Sequence, residues 1–367
     1  MQRTGYTNLP LHTGKAPRWL FKRMVKLARA ITDALLLEYT QDEFLKRIAN
    51  PYWFQAFSCV LGFDWHSSGT TTTTCGALKE ALNQENFGIK IAGGKGSASR
   101  KTPTQIEKIA EDFSISTRKT KKLIYSSRMS AKIDNSLIQD DYHLYHHVFI
   151  LTEKGKWAVI QQGMNPEYSY ARRYHGLSTN MKSFVEEPQQ AICCDKKTKN
   201  TLNMTAKQSR EARKISVDLV KERNLLNYFK KPIQKTLIEF SGKRNIILNM
   251  PRTHLITNMN KINLQTLKRA FEYQPKNYEE LVAIKGIGPR IIRALALISE
   301  LIYSTPPSWE DPVKYSFAHG GKDGIPYPVN KMTMDESTQI LGNAVKNAKI
   351  GNKDKLNALK RLSNLYK

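Results

Sequence analysis

The segment from His143 to Gln162 constrains this chain more than any other. Two β-rich runs, His143 to Thr152 and Lys156 to Gln162, are separated by a short turn containing Gly155, the pattern of a β-hairpin. The sequence on either side is helical. Apolar residues Trp19, Leu20, Met24, Leu27, Ile31 and Leu35 recur at helical spacing through 17–38, opened by Pro17. Further helices are expected at Gln41–Ala49 and from Pro51 to Gly62, and, after a hydroxyl-rich loop, from Cys75 onward. Phe87–Ala92 alternates as a short strand, followed by basic helices at 103–113 and 116–131. An irregular stretch continues to Asp195. Beyond it come a long helix, Thr205–Phe229, shorter ones at Leu264–Phe271, Tyr278–Ile284 and Pro289–Tyr303, and two more after a glycine-rich loop. The expected fold is α+β. A small mixed sheet with surrounding helices occupies 1–195, an all-α domain containing a helix-hairpin-helix 196–305, and a loop with terminal helices 306–367.

Charge narrows the function. Across 367 residues, Lys and Arg total 58 against 32 Asp and Glu, a formal charge of +26, a field that draws in polyanions. The excess is uneven: residues 88–132 carry +8 and residues 195–252 carry +10. No apolar run reaches the ~18–20 residues needed to cross a bilayer, and the N-terminus lacks a secretory apolar region. Four cysteines without C-x-x-C spacing suggest neither a disulfide framework nor a zinc ribbon. DNA, contacted mainly through its backbone, is therefore the expected partner, in a cytoplasmic, nucleoid-associated setting. A homodimer is left open.

Four motifs carry chemistry. In Leu281-Val-Ala-Ile-Lys-Gly-Ile-Gly-Pro-Arg-Ile-Ile-Arg a short helix, a Gly286–Gly288 turn and Pro289 at the next helix start form a hairpin suited to a DNA phosphate. Asn277 and Glu280 are its expected capping pair, and Lys285, Gly286, Gly288, Arg290 and Arg293 its DNA-binding residues. Next, Gly93, Gly94, Lys95 and Gly96, followed by Arg100 and Lys101, resemble a phosphate-cradling loop between strand and helix, without the P-loop signature. Thr102 and Gln105 would cap the helix that follows. The hydroxyl-rich loop at 62–75 carries Asp64 and His66, candidates for acid–base work, and Cys75, whose thiol pKa a helix start would lower. Last, Asp140-Asp-Tyr-His-Leu-Tyr-His-His clusters Asp141, His143, His146 and His147. On a regular strand His143 and His147 share one face about 13 Å apart, so a metal held there needs partners from elsewhere. The structural alternatives are solvated charge, plain glycine turns, capping hydroxyls and buried histidines.

Arg3-Thr-Gly, Leu9-Pro-Leu-His-Thr-Gly-Lys-Ala-Pro-Arg-Trp-Leu, His66-Ser-Ser-Gly-Thr-Thr-Thr-Thr, Ala92-Gly-Gly-Lys-Gly, Ala191-Ile-Cys-Cys-Asp and Ser316-Phe-Ala-His-Gly-Gly-Lys-Asp-Gly together resemble the prokaryotic family catalogued as domain of unknown function 763. The resemblance covers nearly the whole chain. It implies a ParB-like nuclease-type N-terminal domain, a helical DNA-binding C-terminal part, and metal-dependent cleavage of single-stranded or unpaired DNA. It transfers no catalytic residues, and the lysine- and asparagine-rich tail departs from the pattern. The residue assignment rests on the motifs themselves. Asp64, His66, Asp141 and His143 are expected to be catalytic, and Asp141, His143 and His147 to hold Mn²⁺ or Mg²⁺. The alternative is a non-catalytic DNA-binding or repair-scaffold protein.

Overall fold

The structure, a computed structural model, describes residues 16–63, 68–167, 169–194, 197–223, 225, 263–313 and 331–364. Helix α1 (Arg18–Glu38) buries Met24, Leu27, Ile31 and Leu35 as one stripe. Thr40 caps α2 (Gln41–Ala49). Asn50 caps α3 (Pro51–Leu61), accepting from the amides of Tyr52 and Trp53 at 2.9 and 3.2 Å, and Gly62 closes that helix at φ +95°. Helix α4 (Gly69–Asn83) begins at the first glycine of the hydroxyl run, so Thr70–Thr74 are helical rather than looped.

The sheet follows. Strand β1 (Ile89–Lys95) leads through α5 (Ser97–Arg100), α6 (Thr102–Asp112), α7 (Thr117–Ser136) and the short β2 (Ile138–Gln139) to β3 (His143–Thr152). Strands β4 (Trp157–Asn165), β5 (Tyr170–Leu177) and β6 (Gln189–Cys193) complete a meander in the order β1-β3-β4-β5-β6. Every pairing in it is antiparallel, which corrects the expectation of a mixed sheet: the three helices between β1 and β3 bring the chain back in the opposite direction. Strands β5 and β6 occupy the stretch expected to be irregular. The remaining elements are β7 (Leu202–Asn203, paired with β2), α8 (Arg210–Lys221), α9 (Leu264–Tyr273), α10 (Tyr278–Ala283), α11 (Pro289–Tyr303), α12 (Lys331–Asn347) and α13 (Asn352–Asn364). Helix α8 is shorter than the expected Thr205–Phe229: a 3-10 turn precedes it, and Glu222 turns to extended backbone after it.

The sheet is covered on both faces, which is why Val148-Phe-Ile-Leu reads as an unbroken apolar run. Ile91, Val148, Ile150 and Ile160 pack under α1–α4, joined by Leu341 and Val345 of α12 and Leu362 of α13. Phe149, Leu151 and Val159 pack against Ile106 of α6 and Leu123 of α7. The far end of α7 enters a second core, where Met129, Ile133 and Leu137 meet α8–α11. That core takes residues from both sides of position 195.

The two cores are tied by a buried ion-pair cluster. Arg172 of β5 reaches Asp140, just after β2, at 2.5 Å and Asp311, after α11, at 2.8 Å, with all three side chains at most 2% exposed. Asp140 also accepts from the Tyr174 hydroxyl (2.9 Å) and the Tyr142 amide (3.1 Å), and Asp311 from the Thr198 and Val313 amides. Burial disfavours the guanidinium charge, but Asp140 and Asp311 more than offset it and hold its pKa well above the usual value. Asp311→Ala leaves Arg172 balanced by Asp140 but takes the acceptor from its second guanidinium nitrogen and from the Thr198 and Val313 amides. It should cost about 2–4 kcal/mol in urea denaturation, far more than loss of an exposed pair such as Arg29–Glu85.

Candidate functional site

Helix α10, the Ile284–Gly288 turn and α11 form a pair of helices joined by a tight glycine turn. Asn277 caps α10, accepting from the Glu280 amide at 2.9 Å, while Glu280 accepts from the Lys276 amide. Gly286 sits at φ +96°, and a Cβ there would meet Thr266 Oγ1 of α9 at 2.7 Å. No other residue type fits that corner without strain. Lys285, Gly286 and Arg290 are exposed. Arg293 instead turns inward to Gln139 at 2.7 Å, so it clamps the hairpin rather than facing solvent. Gln139 also donates to Pro289 O at 2.8 Å, and Lys132 of α7 donates to Ile284 O at 2.7 Å. The hairpin is thus docked on the 132–139 segment, directly before exposed Asp141 and His143. Half-burial lowers the Lys132 pKa to about 8. Farther up α7, Arg118, Lys119, Lys121, Lys122 and Arg128 are exposed. None of them forms an ion pair among the described residues.

The glycine segment differs from a phosphate cradle. Gly93, Gly94 and Lys95 belong to β1 itself. The Gly93 amide donates to Gln105 Oε1 at 2.8 Å and the Gly96 amide to Tyr145 O at 2.7 Å, so both are already engaged. Gln105 therefore serves β1 instead of capping α6, and Thr102 lies inside that helix. The glycine at 93 is required by close approach, since a Cβ would meet His147 O at 2.1 Å. Lys95, Arg100 and Lys101 remain exposed at this edge.

The histidines divide by face, but not as regular alternation implies. Leu144 pairs with Gly163 and His146 with Gln162, leaving Tyr145 as an extra residue. This bulge inverts the alternation, so His143 and His147 do not share a face. Nor do they assemble the expected metal set: among the described residues no three of His, Cys, Asp and Glu come together as metal ligands. His147 faces α7 with both ring nitrogens engaged, Nε2 on Ser127 Oγ and Nδ1 on Gln161 Oε1, each at 2.8 Å. Gln161 in turn donates to Asp134, which also accepts from Gln189 at 2.5 Å. Burial pushes the Asp134 pKa up to about 7.

The opposite face carries a row that sequence reasoning did not find. The register aligns Lys95, His146, Gln162, Arg173 and Cys193 across all five strands, a polar line beneath α3 and the start of α4. Arg173, fully buried, donates to His175 Nε2 at 2.9 Å, Gln55 Oε1 at 3.2 Å and Thr71 Oγ1 at 3.4 Å. Gln162 donates to Ser68 O at 2.8 Å and lies against the Tyr145 hydroxyl. Helix α4 runs along β1, with Asn83 on Ile91 and Lys79 on Gly93. Cys75 is buried mid-helix and its thiol is pushed up to about 12, the reverse of the lowering expected near a helix start. Here polar atoms are left over: both ring nitrogens of His146, Gln162 Oε1 and Thr74 Oγ1 have no hydrogen-bond partner among the described residues. Such groups are rare in a folded interior and call for a partner, water included. Ser68 follows Asp64 and His66 in the chain; those two, Tyr315–Pro328 and most of the second basic window lie outside the described residues.

Sheet, docked hairpin and polar row together define an α+β protein with helices on both sheet faces. The chain belongs to the family described as protein of unknown function (DUF763), whose model matches residues 5–329. No curated protein and no solved structure matches it.

The two central histidines should behave oppositely on substitution. His147→Leu abandons Ser127 and Gln161 and should cost about 2–4 kcal/mol in urea denaturation, whereas His146→Leu abandons no partner and should be neutral or stabilising by up to about 1 kcal/mol. Their titration gives a second test. Burial lowers His146 to about 3 and His147 to about 4, so both are neutral in the folded state and take up protons on unfolding. Stability is then lost as pH falls from about 6.5 towards 4, by up to ~1.4 kcal/mol per pH unit for each histidine. Asp134, protonated when folded below about 7, opposes this. Since His146→Leu removes one histidine and leaves Asp134 in place, its urea midpoint should decline less steeply with acid than that of wild type.

Proposed function

We propose that the protein binds DNA through the phosphate backbone, gripping it at the α10–α11 hairpin. The observation that carries this is the docking of the hairpin on α7 and the segment after it. Lys132 touches the turn, and Arg128 and Lys121 precede it at helical spacing, extending a cationic stripe away from exposed Lys285 and Arg290. Backbone contacts of this kind position a duplex or strand without reading its sequence. Anisotropy with labelled oligonucleotides should show similar affinity for unrelated sequences. Lys285→Glu with Arg290→Glu should weaken binding about 10–100-fold at low salt and reduce the slope of log K against log salt by about 1–2. Unchanged affinity would remove the hairpin from the reading.

A hydrolytic reading, with the ParB-like nuclease architecture expected of the family, is favoured by the orphaned His146 in line with Lys95 and Arg173. That row lies about 10 Å along β3 from exposed His143. Among the described residues no three of His, Cys, Asp and Glu come together to hold Mn²⁺ or Mg²⁺. Labelled single- and double-stranded DNA incubated with and without Mn²⁺ separates the readings. Cleavage lost in His146→Leu supports hydrolysis; absence of cleavage leaves a DNA-binding or scaffold protein.

A further inference from the structure

At the end of α10 opposite the hairpin turn, α8, the 183–186 segment and the start of α10 enclose a cleft of about 500 Å³, within the range of small-molecule sites. Five cations and two carboxylates line it. Glu186 is shared by Arg210 and Arg213, and Lys214 pairs with Glu211 at 2.8 Å. Lys221 and Lys276 have no ion-pair partner among the described residues. The walls also include apolar Val185 and Val217. Tyr278 also lines the cleft, but its hydroxyl is closed off from solvent and has no partner among the described residues.

We propose that this cleft binds a nucleotide carrying a terminal phosphate monoester, with Lys221 and Lys276 on the phosphate. The two lysines left without ion-pair partners among the described residues suit a phosphomonoester dianion better than the single charge of an internal diester. The apolar walls and the volume suit the attached nucleoside. Two sources share this chemistry: a free mononucleotide, or the phosphorylated end of a strand whose body lies on the hairpin about 9 Å away along α10.

Isothermal titration of the full chain with deoxyadenosine monophosphate, deoxyadenosine and inorganic phosphate tests the inference. The monophosphate should bind at one saturable site, at least about tenfold tighter than the nucleoside. Lys221→Glu with Lys276→Glu should abolish this binding. Lys285→Glu with Arg290→Glu should leave it intact, which separates this site from the hairpin. A 5′-phosphorylated oligonucleotide outcompeting its 5′-hydroxyl counterpart for the cleft identifies a strand end as the source; equal competition identifies a free nucleotide. Failure of the monophosphate to saturate below about 10 mM, or binding unaffected by the cleft variant, overturns the proposal.

Discussion

Arg172 is the constraint on which the arrangement depends. A guanidinium with no exposed surface tolerates burial only when carboxylates and further hydrogen bonds surround it. Here the carboxylates come from distant parts of the chain, Asp140 beside the sheet and Asp311 beyond α11. Satisfying one charge therefore fixes how the second core sits against the sheet. The same docking holds the hairpin through Lys132, Gln139 and Arg293. Position of the hairpin relative to β3 thus follows from an electrostatic requirement deep in the fold, with hydrophobic burial supplying the bulk of the stability.

The sheet carries polar residues at the same level on both faces, and the contrast between the faces is informative. Towards α7, Ser127, His147, Gln161 and Asp134 form a continuous hydrogen-bond chain. A satisfied buried network rigidifies a core and needs no further role. Towards α4, His146, Gln162 and Thr74 keep atoms that find no partner among the described residues, beside the two cations of the row. A neutral imidazole always has one N–H to give and one lone pair to accept with, so this face can do chemistry that the other cannot. That difference directs the functional reading to the α4 side, next to the hydroxyl motif.

Much of the scaffold was legible beforehand. The β3–β4 hairpin, α1–α3 and the α10–α11 turn were readable because periodicity, Asn and Thr caps, Gly62 and Pro289 are local signals. Strand β5 was not, because Arg172, Arg173 and His175 lie inside the protein where an apolar pattern is expected. The residues that hid it are those that build the ion-pair cluster and the polar row. The glycine segment misled for a related reason: Gly93 serves close approach to His147, a contact 54 positions away in the chain. The pairing of His143 with His147 failed on a single bulge at Tyr145, which alternation cannot anticipate.

By itself the sequence determined a basic α+β chain, the family to which it belongs, its central hairpin, and a glycine turn between two helices. These follow from composition and from spacings within about a dozen residues, where propensity and capping act. Only the tertiary structure decided which polar side chains are satisfied and which are left over. It aligned Lys95, His146, Gln162 and Arg173 in one row, and it closed the cationic cleft around Tyr278. Strand register and burial join residues far apart in the chain, and whether a buried polar atom finds a partner is a property of that joining alone.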